Sequence, residues 1–122
     1  IIRRNTKLTS PDIKAFVIDK LEGMKANHIE SLDVSKLTSI TDTMIIASGT
    51  STRHVKSIAN YLVEEAKAAG MSVLGVEGQD GSEWVLVDMT DVIVHVMLPQ
   101  SREFYQLEKL WDAKLVNQAH EN

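Results

Sequence analysis

Residues 84–98 read as two strands with almost no chain between them. Trp84-Val85-Leu86-Val87-Asp88 and Val92-Ile93-Val94-His95-Val96-Met97-Leu98 are joined only through Asp88-Met89-Thr90-Asp91, and Pro99 ends the second. A parallel pair needs a crossover of about a dozen residues or more, so these segments predict an antiparallel hairpin. A second constraint is the uninterrupted apolar run Met44-Ile45-Ile46-Ala47, bounded by Thr41-Asp42 and Ser48-Gly49-Thr50-Ser51. Consecutive apolar positions imply a strand covered on both faces, hence a central one.

The remaining segments fit around these strands. Ser10-Pro11-Asp12 predicts a helix start, with serine as cap, proline in the first turn and an acid at the positive end of the dipole. Its stripe of Ile13, Phe16, Val17, Lys20, Leu21 and Met24 runs on toward Asn27. Residues 29–34 alternate apolar and polar as a half-buried strand does. Thr50 or Ser51 is expected to cap a second helix reaching about Ala69. Val55, Ile58, Ala59, Leu62, Val63 and Ala66 lie on its inner side, and Gly70 is its stop. Residues 71–76 predict a third strand and Gly78-Gln79-Asp80-Gly81-Ser82 a turn. A last helix is expected over residues 101–116, with Phe104, Leu107 and Trp111 inward, Tyr105 pointing elsewhere and a fraying polar tail. The expected fold class is α/β: one domain over residues 1–122, with a mixed five-stranded sheet flanked by helices.

Composition narrows the function. The chain has 122 residues, 17 acids against 13 lysines and arginines, and a net charge of −4. That balance disfavours direct nucleic-acid binding, which draws on a cationic field, and suits a basic protein partner. Without cysteine, thiolate metal sites, disulfides and cysteine nucleophiles are excluded, which fits a reducing compartment. No run approaches the roughly 18 apolar residues of a membrane span, and Ile1-Ile2-Arg3-Arg4-Asn5 lacks an apolar signal core. Cytoplasmic localisation without membrane association is the expectation.

Candidate chemistry is sparse. Gly49-Thr50-Ser51 at a strand-to-helix junction could cradle a phosphate, but the turn lacks the lysine spacing of a Walker loop and reads better as a helix cap. Asp88, Asp91 and His95 form the most enzyme-like set. Two aspartates flanking a tight turn usually bond backbone amides, however, and His95 lies further along a strand as a packed histidine. His54 is expected at the helix surface, with His28 and His120 near element ends; Arg102 could cap a helix or pair with Asp88 or Asp91. No catalytic residue, metal ligand or cofactor is assigned. Trp84 by pattern alone favours the core, while Glu77, Asp80 and Glu83 beside it could rim a surface that meets basic side chains.

In order and spacing, Ser39-Ile40-Thr41-Asp42, Ile45-Ile46-Ala47-Ser48-Gly49-Thr50-Ser51, Arg53-His54-Val55, Gly75-Val76-Glu77-Gly78, residues 84–88, residues 91–96 and residues 102–111 resemble the ribosomal silencing factor family, also called Iojap. The resemblance spans roughly residues 11–112. It implies a nucleotidyltransferase-like fold without enzymatic activity. It also implies binding to the large ribosomal subunit through ribosomal protein fourteen, which blocks small-subunit joining and represses translation under nutrient limitation. Members can pair as homodimers and act in large-subunit maturation. The resemblance gives Trp84, Met89 and Tyr105 to the partner-binding surface, reversing the core preference for Trp84. Two alternatives stand beside this reading. One is a degenerate nucleotidyltransferase using the Gly49-Thr50-Ser51 turn and Asp88, which magnesium-dependent nucleotide binding would reveal. The other is a dimeric assembly scaffold, which competition between dimer and subunit would reveal.

Overall fold

The computed structural model describes residues 9–106 and 109, the side chains of Phe104 and Tyr105 excepted. The elements run α1 (Ser10–Gly23), β1 (Asn27–Asp33), β2 (Thr43–Ser48), α2 (Thr52–Ala68), β3 (Gly75–Glu77), β4 (Trp84–Asp88), β5 (Val92–Met97) and α3 (Pro99–Tyr105). The five strands form one sheet in the order β1-β2-β5-β4-β3. β2 and β5 are parallel, from Thr43 opposite Val92 to Ser48 opposite Met97, and every other pair is antiparallel. The expected mixed sheet and the β4–β5 hairpin are therefore both present.

The two faces of the sheet carry separate clusters. Ile45, Ala47, Val85, Val87, Val92, Val94 and Val96 pack with Ile13, Val17 and Leu21 of α1 and Val55, Ile58, Leu62 and Ala66 of α2. Val34, Met44, Ile46 and Met97 form the second cluster on the opposite face, with Leu32, Leu37 and Trp84 packed against it. All six residues of β2 are buried, as a strand between two apolar layers must be.

Local chemistry moves several expected boundaries. Thr9, not Ser10, caps α1: its side chain accepts from the Asp12 amide while Asp12 accepts from the Thr9 amide. Ser10 instead donates to Asp42 at 2.6 Å. α1 stops at Gly23, short of Asn27, because Lys25 turns left-handed at φ 61° and the Ala26 amide bonds back to Leu21. β3 begins at Gly75 rather than Met71. Gly70, at φ 79°, and Met71 leave α2 by bonding back to Lys67 and Ala66, so the chain joins the ladder late. α3 is interrupted at Gln106, whose left-handed φ of 50° ends the helix, so the single helix expected over residues 101–116 is broken there. Leu107, Leu110, Trp111 and His120 lie outside the described residues.

Candidate partner-binding surface

The side of the sheet away from α1 and α2 presents Trp84 at the start of β4. Strand alternation puts Val85 and Val87 into the helix-side core and turns Trp84 the other way, where it is partly buried against the second cluster. Its indole Nε1 donates to His95 Nδ1 at 2.9 Å, and the two rings sit 5.8 Å apart at 44°. An indole nitrogen only donates, so Nδ1 must be the bare acceptor and the proton of a neutral His95 sits on Nε2. That Nε2 is buried and has no acceptor among the described residues.

His95 is only 5% exposed, and burial lowers its pKa from 6.5 to about 4. The sign follows directly. The unfolded chain takes up a proton near pH 6.5 that the folded chain refuses until about pH 4, so stability is full above the first value and lost as pH falls through the window. Urea unfolding should show a loss of about 1 kcal/mol between pH 7 and pH 5.5 that a His95→Gln variant lacks.

The turn before Trp84 is fixed by its backbone. Gly78 has φ 91°, and a side chain there would run into the Trp84 carbonyl. Ser82 closes the turn, its amide on the Gly78 carbonyl at 3.0 Å and its hydroxyl on that of Gln79 at 2.6 Å. Glu77, Asp80 and Glu83, around this turn, are all exposed. These acids stand exposed on the segment that leads into Trp84 and β4. Tyr105 ends α3, and its side chain lies outside the described residues.

Met89, given to the partner surface by the resemblance, is not exposed. It is 2% exposed and packs in the helix-side core, because the turn bonds Met89 N–H to the Val92 carbonyl and folds the side chain inward. The Asp88-Asp91-His95 set also comes apart. Asp88 accepts from the Thr90 amide at 2.9 Å as a turn residue, Asp91 is held by its backbone, and His95 faces Trp84. No group of metal-binding side chains occurs among the described residues.

The Gly49-Thr50-Ser51 turn is occupied internally. A Cβ on Gly49 would fall 2.8–2.9 Å from Val55, Ser51 caps α2 through the His54 amide, and the Thr50 amide donates to His54 Nδ1 at 2.9 Å. His54, expected at the surface, is a partly buried clamp whose Nε2 meets the Met24 carbonyl at 2.8 Å across to α1. Arg102 pairs with neither Asp88 nor Asp91. It is 9% exposed, donates to Ser48 and pairs with Glu30, both at 3.0 Å, anchoring α3 to the middle of β1 and the last residue of β2. Sequence reasoning missed both contacts, and nothing local signals either.

Comparison with known proteins places this geometry in a family. A "Ribosomal silencing factor RsfS" of Chromobacterium violaceum is 48% identical over 100 residues, covering 82% of both chains. A crystal structure of a protein from the same bacterium superposes with a TM-score of 0.84 at 46% identity, over 86% of this chain and 88% of that one. The mouse "Mitochondrial assembly of ribosomal large subunit protein 1" is 37% identical over 99 residues, which cover 79% of this chain and 43% of that protein. The family described as "Ribosomal silencing factor during starvation" matches residues 7–122. This chain belongs to that ribosomal silencing factor family.

Proposed function

We propose that this protein acts in the cytoplasm by docking on ribosomal protein fourteen of the large subunit, obstructing small-subunit joining and so repressing translation when nutrients are scarce. The observation that carries the reading is the pairing of a partly exposed, hydrogen-bonded Trp84 with three exposed acids on the adjoining turn. An aromatic anchor surrounded by polar residues is the usual build of an interface hot spot. Glu77, Asp80 and Glu83 supply charge complementary to a basic ribosomal surface. The names of the bacterial and mouse relatives, one a ribosomal silencing factor and one an assembly protein of the ribosomal large subunit, support a ribosomal partner. Tyr105 is included in the contact surface and Met89 is not. Self-pairing through the same surface would compete with docking.

Co-sedimentation with isolated subunits tests this. Binding to the large subunit alone is expected; binding to neither, or equally to both, sinks the reading. Replacing Glu77, Asp80 and Glu83 together by lysine should slow association about tenfold at low salt and flatten its salt dependence, because rim charges act mainly on encounter. Stopped-flow mixing at two ionic strengths reads both effects.

A further inference from the structure

We propose that His95 is a positioning residue for docking: its Nδ1 holds the Trp84 indole in one orientation before the partner arrives. The proposal deepens the docking reading and rests on it. His95 occupies the middle of β5, opposite Ile46 of β2 and Leu86 of β4, so its ring is held by strands on both sides. It is the buried member of the pair and Trp84 the partly exposed one, so the rigid group orients the group that reaches the surface. An apolar residue would fill the same place between Val94 and Val96 without leaving a buried nitrogen, Nε2, lacking an acceptor among the described residues. Nδ1, by contrast, has a defined task at 2.9 Å. Because burial holds the ring neutral down to about pH 4, Nδ1 stays an acceptor throughout the neutral range. Fixing a rotatable aromatic before binding removes an ordering cost that association would otherwise carry.

The test combines two substitutions with one measurement on the unaltered protein. His95→Phe keeps a ring but has no acceptor, and the folded variant should bind large subunits about tenfold more weakly. His95→Asn puts an amide oxygen near the place of Nδ1 and should recover affinity to within about threefold of wild type. Nitrogen-15 spectra of the histidine ring in wild type should show Nδ1 bare and Nε2 protonated, a readout independent of any variant's folding. A protonated Nδ1, a folded His95→Phe protein that binds as wild type, or an Asn variant as weak as the Phe variant overturns the proposal. Trp84→Ala measured alongside separates the two levels. If it weakens binding about 30-fold or more while folded His95→Phe binds as wild type, positioning fails and docking stands; if it binds as wild type, both fail.

Discussion

Trp84→Ala should weaken binding to the large ribosomal subunit by about 30-fold or more, on the order of 2 kcal/mol, as truncation of a central aromatic anchor does. The same change removes packing from the cluster of Val34, Met44, Ile46 and Met97 and leaves His95 Nδ1 without its donor. Some loss of fold stability is therefore expected as well, smaller than the roughly 3–5 kcal/mol typical of a fully buried tryptophan because Trp84 is partly exposed. The two effects separate in the measurement. Urea unfolding gives the fraction folded at the assay temperature, and affinity is compared at equal folded concentration. Trp84→Phe sharpens the distinction, since it keeps an aromatic ring while removing the N–H together with part of the ring area. Affinity for Trp84→Ala within about threefold of wild type would remove the tryptophan from the interface.

Gly78→Ala should destabilise the fold by about 3 kcal/mol or more, well above the usual cost of a surface substitution. Two costs act together. The backbone sits at φ 91°, where a side chain is strained, and the new methyl group would run into the carbonyl oxygen of Trp84. The obstacle is main chain, so no rotamer change relieves it; the turn or the start of β4 must shift. Gly81→Ala is the matched control, because a Cβ there meets nothing within 4 Å and its φ is unremarkable. That change should stay within about 0.5 kcal/mol of wild type. Equal urea midpoints for the two variants would show that the turn yields easily.

What the sequence could and could not convey follows from how local each signal is. The apolar run at Met44 to Ala47 announced a strand covered on both faces, and the short link between β4 and β5 left only a hairpin. Trp84 was ambiguous for a physical reason. Alternation along β4 says that Trp84 and Val85 face opposite sides, but whether the tryptophan's side is covered depends on the second cluster, most of whose members are distant in sequence. Met89, given to the partner surface by the resemblance alone, has its side chain turned inward, and no local sequence signal gave the direction of that turn. The Arg102–Glu30 pair spans 72 positions and the His54–Met24 contact 30, and such couplings leave no periodic trace. His95 was rightly read as packed, while its bond to Trp84 across the β4–β5 hairpin needed the register that sets Leu86 against it.

The strand order also governs how this protein is made. β5 is the next-to-last described element in the chain, yet it lies at the centre of the sheet, between β2 and β4. Until it leaves the exit tunnel, a nascent chain can form only two unjoined halves, β1 with β2 and β3 with β4, each with an open edge that β5 later fills. Joining them requires contacts as distant as Thr43 with Val92, so native structure during synthesis should arrive late and in one step rather than element by element. The face of the sheet that carries Trp84 would thus be completed only after β5 has been made and has emerged.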